Sequence, residues 1–241
     1  MRYVGGKSGI AHGLVSVIER YHHGRSTWIE PFVGGGAVLS VAAKRYANCY
    51  AYDLHPDLIL LYQALQNGWQ PPTAVSEDEY KQLRHAEPSA MRGFVGFGCS
   101  FGGKFFGGYA RGEGRIHHAD SSRNSLRRMK LDNVQFAQAS FFDLDWQQFN
   151  PSDCVIYCDP PYSNTQGYSV GGFDHATFWA ECERLHDLGF LVFVSEYNAP
   201  GHWHHVWQKD VPLQLKGGAT ANARQERLFM PDKLSTPFYM F

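Results

Sequence analysis

Several common features are missing from this sequence of 241 residues. No apolar run approaches the ~20 residues that a membrane-spanning helix needs, and residues 1–13 lack the apolar stretch of a secretory signal peptide. The five cysteines form no C-x-x-C pair, which argues against a disulfide framework or a thiolate metal site. These absences predict a soluble cytoplasmic protein that binds no metal and no membrane.

The net charge is also small, −1, but it is unevenly distributed along the chain. Residues 81–130 contain ten basic and three acidic side chains, a local charge of +7, so the remainder carries −8. A basic segment within an acidic protein predicts contact with phosphate groups. A solvated helical face is the alternative interpretation, because charge runs are common on protein surfaces.

Short apolar runs alternate with segments of helical periodicity, a pattern that predicts an α/β fold with a mainly parallel sheet. The predicted helices cover 8–21, 37–46, 56–67 and 174–188, and the predicted strands cover 27–32, 49–53, 134–138, 154–158 and 190–195. Residues 69–130 are polar, basic and rich in glycine, and they interrupt this rhythm. They are predicted to form an insertion of helices and loops between 1–68 and 131–241. A β-rich closing segment is expected over 202–241, with 227–230 as its clearest strand.

Glycines follow the first predicted strand in the segment Glu30–Gly36, where the backbone can approach a ligand at a helix N-terminus. The dinucleotide fingerprint G-x-G-x-x-G fails, because Leu39 occupies its third glycine position. Asp53 ends the second predicted strand, a position from which a carboxylate can bind both ribose hydroxyls. Capping of the next helix is the alternative role for Asp53.

The N-terminal segment contains Gly6-Lys7-Ser8, which superficially resembles a phosphate-binding loop. That motif requires glycine five positions before Gly6, and Met1 stands there, so the interpretation is rejected. Lys7 is instead expected to meet a carboxylate, with Tyr3 packing or stacking nearby.

The most informative tetrapeptide is Asp159-Pro160-Pro161-Tyr162, which follows a predicted buried strand. Ligands of open α/β sheets bind at the carboxyl ends of the strands. The lone pair of an exocyclic amino group on a base is delocalised into the ring. Acceptors for both N–H groups, here the Asp159 carboxylate and the Pro160 carbonyl, would direct that lone pair toward an electrophile. Tyr162 offers a stacking face for a base turned out of its helix.

Four ordered motifs together resemble the Dam-type (α-group) adenine-N6 DNA methyltransferases over nearly the whole chain. Residues 3–7 (Y-V-G-G-K) resemble the family's W-A-G-G-K, and residues 30–38 resemble its E-P-F-V-G-x-G-S-V. Residues 52–59 resemble its A-D-I-N-x-D-L-I, and residues 159–162 are its D-P-P-Y. One departure is Ser140-Phe141, which stands where relatives often have G-D-F, so a carboxylate near the cofactor's adenine is missing and either residue is expected to substitute.

The resemblance implies a Rossmann-like methyltransferase sheet with an inserted helical and loop DNA-recognition subdomain over 69–130. It further implies S-adenosylmethionine as methyl donor, double-stranded DNA as partner, base flipping and a role of the restriction-modification kind. The expected catalytic residues are Asp159, Pro160, Pro161 and Tyr162. The expected cofactor-binding residues are Tyr3, Gly6, Lys7, Glu30, Pro31, Phe32, Gly34, Gly36, Asp53, Leu54, Ser140, Phe141 and Asp159. The expected DNA contacts are Lys104, Arg111, Arg115, Arg123, Arg127 and Arg128.

Related chemistries differ in their requirements. Cytosine-C5 methylation uses a Pro-Cys nucleophile, and no such pair occurs in the sequence. Cytosine-N4 and RNA adenine methylation use similar geometry and remain alternatives, as does a DNA-binding relative that has lost catalysis. Aromatic residues of the insertion (Phe97, Phe101, Phe105, Phe106 and Tyr109) are candidates to wedge into a duplex, and Tyr168 and Phe173 are candidates either to close over a flipped base or simply to pack.

Overall fold

The described residues form a seven-stranded mixed sheet with helices on both faces. A computed structural model describes residues 1–111, 118–162, 172–211 and 224–232. The strands are β1 (Thr27–Glu30), β2 (Asn48–Asp53), β3 (Val134–Gln138), β4 (Cys154–Cys158), β5 (Leu191–Glu196), β6 (Trp203–Val211) and β7 (Arg224–Pro231). The α-helices are α1 (Ala11–Ile18), α2 (Leu39–Ala42), α3 (Pro56–Gln66), α4 (Glu77–Leu83), α5 (Ala90–Gly98), α6 (His118–Leu126) and α7 (His175–Asp187).

The strand order is β3-β2-β1-β4-β5-β7-β6. The first five strands in this order pair in parallel, whereas β7 runs antiparallel to both β5 and β6. The chain leaves the β1–β2–β3 side and returns to pair β4 with β1, so the order reverses between these two strands. Ligands of open α/β sheets bind at such a switch point, beyond the carboxyl ends of the strands.

The central strands are apolar because both of their faces are covered. In β4, Val155 and Tyr157 belong to one buried cluster, whereas Ile156 and Cys158 belong to another. Successive side chains of a strand point to opposite faces, so the two clusters lie on opposite sides of the sheet. This doubly covered sheet is the α/β, Rossmann-like architecture that the sequence predicts.

The predicted strands 134–138 and 154–158 are confirmed residue for residue. The predicted helix 37–46 is too long, because only Leu39–Ala42 is α-helical. Beyond it the chain tightens into turns, in which the amide of Lys44 donates to the carbonyl of Val41. The predicted helix 8–21 is likewise shortened to Ala11–Ile18, since tighter i→i+3 turns flank it at both ends.

The inserted segment packs tightly against the rest of the protein. A Cβ atom at Gly93 of α5 would lie only 2.3 Å from the carbonyl oxygen of Asp57 in α3, so these two helices touch along their backbones. Buried Phe94 and Phe97 of α5 belong to the same apolar cluster as Leu58 of α3. This contact fixes the insertion relative to the sheet edge that carries the strand ends. Among the described residues, no helix has the length and apolar character to cross a membrane.

Candidate active site

A cleft of about 1160 Å³ opens beyond the carboxyl ends of β1, β2 and β4, at the reversal of strand order. It is lined by every residue predicted to bind the cofactor: Tyr3, Gly6, Lys7, Glu30, Pro31, Phe32, Gly34, Gly36, Asp53, Leu54, Ser140, Phe141 and Asp159. Pro161 of the predicted catalytic tetrapeptide also lines the cleft, while Tyr162 is buried beside it with 9% of its surface exposed. Residues distant in sequence thus meet in one place because the parallel strands end at the same sheet edge.

The glycine loop after β1 is held in a conformation that favours glycine. Gly34 and Gly36 have φ angles of 45° and 66°, in the left-handed region where a Cβ is disfavoured. The carbonyl of Gly34 accepts a hydrogen bond of 2.7 Å from the hydroxyl of Tyr62. A Cβ at Gly35 would lie 2.6 Å from the Cβ of Tyr3, so the N-terminal segment lies directly against the loop.

Asp53 connects this loop to the second strand. Its Oδ2 accepts the amide of Gly34 at 2.9 Å, and its Oδ1 accepts the amide of His55 at 2.9 Å. Burial raises the pKa of Asp53, and the backbone hydrogen bonds oppose that rise. The contact with His55 closes a local turn just before α3 and does not cap the helix, whose N-cap residue is His55, without a side-chain cap hydrogen bond. The same carboxylate lines the cleft, where its remaining lone pairs can accept ligand hydroxyls.

Glu30 ends β1 and is 2% exposed. Its Oε2 accepts the indole N–H of Trp28 at 2.9 Å. Burial raises the pKa of Glu30 to about 8; the Trp28 hydrogen bond opposes this rise, and the charge on Asp159 adds to it. A largely neutral carboxyl therefore lies at the floor of the cleft at neutral pH.

Asp159 follows β4 and faces Lys7 across the cleft. The Lys7 Nζ lies 3.0 Å from Asp159 Oδ1 and 3.5 Å from Glu226 Oε2, and it lies 4.6 Å from the centroid of the Tyr162 ring. The Tyr162 hydroxyl donates to Glu226 Oε2 at 2.8 Å. Burial raises the pKa of Asp159, whereas the Lys7 ammonium lowers it. Within the chain, Lys7 meets the carboxylate of Asp159, and its contact with a carboxylate of the cofactor stays a prediction.

The segment Ser140–Phe142 lies at the end of β3. The Ser140 hydroxyl accepts the amide of Phe142 at 3.3 Å and so caps the short turn that follows. Phe141 is 2% exposed and stacks on Phe32, whereas Phe142 is 42% exposed. Phe142 also lines the cleft beside Phe173, with 5.9 Å between their ring centroids. The exposed apolar surface at this position therefore comes from Phe142, a residue that the sequence comparison did not select.

The basic residues of the insertion have different environments. Lys104 and Arg128 line the cleft, together with Arg2, which the sequence analysis did not select. Arg111 forms a bidentate ion pair with Glu77, with Arg111 Nη2 2.9 Å from Glu77 Oε1. Arg123 belongs to α6 and Arg127 lies just beyond it; Arg115 and Tyr168 lie outside the described residues. Part of the basic charge predicted to meet phosphate is thus already paired within the protein.

Glu226 is the main site residue that the sequence did not reveal. It lies in β7, one position before the predicted strand 227–230, and reaches Lys7 and Tyr162 because β7 inserts between β5 and β6. Only a prediction of this strand's register would have placed Glu226 beside Lys7. His202 and His204 lie 2.5 Å from the carboxylates of Glu183 and Asp232, respectively.

Comparison with known proteins identifies relatives of this chain. Residues 3–91 match the model of the D12 class N6 adenine-specific DNA methyltransferase family. The Type II methyltransferase M.CviBI of Paramecium bursaria Chlorella virus NC1A is 25% identical over 225 residues, covering 80% of this chain and 84% of the relative. The DNA adenine methylase of Vibrio cholerae serotype O1 is 26% identical over 233 residues, covering 82% and 80%.

Solved structures of methyltransferases also align with most of the chain. A putative methyltransferase of Escherichia coli, yhhF, covers 92% of this chain and 84% of its own at 12% identity, with a TM-score of 0.40. The tRNA (m1A58) methyltransferase TrmI of Aquifex aeolicus covers 92% and 68% at 9% identity, with a TM-score of 0.39.

The sequence-based recognition is confirmed by the family match and by both curated relatives. The same comparisons support the predicted function, which is the methylation of adenine in DNA, and the predicted cofactor, which is S-adenosylmethionine. The chain is thus similar to the D12 class N6 adenine-specific DNA methyltransferases, over residues 3–91 for the family model and over most of its length for the two relatives.

Proposed function

We propose that this chain methylates the N6 amino group of an adenine turned out of duplex DNA, by direct displacement beside Asp159. The observation that carries the proposal is the position of Asp159 in the same cleft as Asp53 and the glycine loop. A carboxylate that can accept an amino hydrogen therefore lies in the same cavity as a site suited to a nucleoside ligand. The first is needed to hold the acceptor base, and the second to hold the methyl donor.

The residues of the cleft suit S-adenosylmethionine, which supplies an already activated methyl group when bound. Asp53 offers oxygens for ribose hydroxyls, and the glycines of the loop let the backbone approach the ligand. Leu54 and Phe142, 47% and 42% exposed, offer apolar surface for a purine ring. Asp159 and the Pro160 carbonyl accept the two amino hydrogens of the target base. Because the donor is activated, no covalent enzyme intermediate is required.

The position of Phe101 supports recognition of a duplex. Of the five aromatic candidates in the insertion, Phe97 and Phe106 are 4% exposed, whereas Phe101 is 62% exposed. Phe101 lies in a loop closed by a β-bridge between Ser100 and Tyr109, and its amide donates to the carbonyl of Gly108. This loop lines the same cleft as Asp159. We assign to Phe101 the role of filling the stack when the base leaves it.

The charges around this loop fit a polyanionic substrate. Lys104 follows Phe101 in the loop, and Arg2 and Arg128 line the same cleft. Cations at the mouth of a site position a duplex through its phosphates without selecting its sequence. The relatives come from a bacterium and a virus. We therefore place the activity in the cytoplasm of a prokaryotic or infected cell, with or without a partner restriction enzyme.

The test is single-molecule sequencing of DNA from a methylation-free bacterial host that expresses the chain. N6-methyladenine within one short motif is expected, and Asp159→Asn should abolish it at equal protein level. If N4-methylcytosine is found instead, the target base is cytosine and the proposed target, adenine, is wrong. Methylation confined to RNA, or cofactor and DNA binding with no methylation, would overturn it.

A further inference from the structure

Glu226 is a second carboxylate beside the predicted catalytic one, contributed by a strand that carries none of the four motifs. Its side chain is 13% exposed, and its Oε2 accepts the hydroxyl hydrogen of Tyr162 at 2.8 Å. The same oxygen lies 3.5 Å from Lys7 Nζ. One carboxylate oxygen thus contacts both the hydroxyl of the motif tyrosine and the ammonium that faces Asp159.

Lys7 is shared between two carboxylates. Its ammonium lies 3.0 Å from Asp159 Oδ1, where the side chains of Lys7 and Asp159 are 6% and 22% exposed. With both carboxyls ionised, one positive charge faces two negative charges in a poorly solvated space. The attraction of Lys7 for Asp159 is therefore weaker than it would be in an isolated pair, because the ammonium is also drawn to Glu226.

We propose that Glu226 is a positioning residue for methyl transfer. It anchors Tyr162 through the hydroxyl hydrogen bond, and it competes with Asp159 for the ammonium of Lys7. Asp159 therefore stays able to accept hydrogen from the target amino group. The inference rests on the proposed function. It assigns a role to a residue that lies outside the family's four motifs.

The chemistry explains why this division of charge matters. Methyl transfer forms a nitrogen–carbon bond and breaks a sulfur–carbon bond, whose electron pair stays on sulfur. The nitrogen becomes positively charged and must lose one proton to an acceptor. An Asp159 fully neutralised by Lys7 would be a poor acceptor, whereas Glu226 raises the pKa of Asp159 and so opposes Lys7. The other ionisable groups that face this cluster are Glu30 and Tyr157.

Two substitutions separate the two roles of Glu226. Glu226→Gln keeps an oxygen that can accept the Tyr162 hydroxyl but removes the charge. Tyr162→Phe removes the hydroxyl but keeps both the ring and the charge of Glu226. Asp210→Asn is the matched control, because Asp210 lies in the neighbouring strand β6 and its carboxylate contacts Gln225. The measurements are the single-turnover rate of DNA methylation at saturating cofactor, from pH 5 to pH 9, and the KM for DNA from steady-state rates over a range of DNA concentrations.

We expect Glu226→Gln to move the acidic limb of the rate profile to lower pH by about one unit, because removing a nearby negative charge favours ionised Asp159. Its rate on the alkaline plateau should fall, since the carboxylate is then less basic. Tyr162→Phe should instead move the limb to higher pH, because a hydrogen bond from the Tyr162 hydroxyl lowers the pKa of Asp159. It should also raise the KM for DNA about tenfold, the value of one hydrogen bond to a charged group. Glu226→Ala should combine the limb shift of Glu226→Gln with the higher KM, and Asp210→Asn should show neither.

A Glu226→Gln profile that superimposes on that of the unaltered protein would overturn the inference, as would equal limb shifts in Glu226→Gln and Tyr162→Phe. Circular dichroism of each variant identifies loss of fold, and Glu226→Asp should restore the unaltered limb if the charge is responsible. If the unaltered chain and Asp210→Asn both fail to methylate adenine in DNA, the proposed function itself fails. The inference about Glu226 is tested only against an active control.

Discussion

Replacing Glu30 by glutamine should change how the stability of the ligand-free protein depends on pH. Glu30 is 2% exposed, and burial raises its pKa from 4.5 to about 8. A carboxyl whose pKa is raised on folding binds a proton more tightly in the folded state. Its contribution to stability is therefore complete below pH 4.5 and is lost progressively as the pH rises toward 8.

The size of the effect follows from the same two pKa values. Each pH unit inside this window costs about 1.4 kcal/mol of unfolding free energy, so the change between pH 5.5 and 7.5 is about 3 kcal/mol. Glutamine cannot ionise, and its side-chain oxygen can still accept the indole N–H of Trp28. We therefore expect Glu30→Gln to gain stability relative to the unaltered protein as the pH rises.

The assay is urea-induced unfolding of both proteins at pH 5.5, 6.5 and 7.5, and the quantity compared is the difference between their unfolding free energies. Burial raises the pKa of Asp53 and Asp159 as well, so the unaltered protein loses stability from those groups too. Taking the difference removes the contribution of Asp53 and leaves, for Asp159, only the part that arises from its interaction with Glu30. Glu87→Gln, at an exposed position, is the control and should give a constant difference. Parallel curves for Glu30→Gln and the unaltered protein would refute the reasoning.

Three further predictions concern the reaction and its substrate. Asp159→Ala should lower the methylation rate by about 10²–10⁴ while cofactor affinity, measured by calorimetry, changes little; full activity would contradict the mechanism. Phe101→Ala should lower kcat/KM about tenfold and reduce the fluorescence of 2-aminopurine at the target position, because a stacking contact is lost; unchanged fluorescence would remove Phe101 from base flipping. Neutralising Lys104 and Arg128 together should reduce the slope of log affinity for DNA against log salt concentration by the equivalent of about two phosphate contacts. Neutralising Arg111, which is paired with Glu77, should leave that slope unchanged. Equal slopes in the two variants would contradict this distinction between the cations that line the cleft and the paired Arg111.

The parallel part of the sheet was predictable because local sequence determines it. Strand 154–158 is a short buried apolar run, whereas strand 134–138 places buried Val134 and Phe136 beside exposed glutamines; each retains its predicted bounds in the structure. The helix predicted over 37–46 was too long because periodicity does not distinguish an α-helix from successive tight turns. Here the amide of Val41 donates to the carbonyl of Val38, and the amide of Lys44 donates to the carbonyl of Val41, so tight i→i+3 turns occur at both ends of the short α-helix.

Charge patterns predicted less than motifs did, because the charge of a segment does not reveal which side chains are already paired. Arg92 and Arg111 both contribute to the basic window of residues 81–130. Arg92 Nη1 lies 2.6 Å from the buried Asp57 Oδ2, and Arg111 is held by Glu77. Each pairing joins residues more than 30 positions apart, so only the fold reveals it. The cations that line the cleft are the better candidates for phosphate contact.

The predicted site was incomplete for a related reason. Asp159 and Lys7 could be selected from motifs, since each belongs to a local pattern with a chemical meaning. Glu226 belongs to no such pattern, and its place depends on an antiparallel strand that enters between β5 and β6. Yet its carboxylate affects how strongly Lys7 neutralises Asp159. The motifs therefore identify the groups that would meet the substrate, whereas the proton affinity of those groups is set by residues that only the complete sheet brings to them.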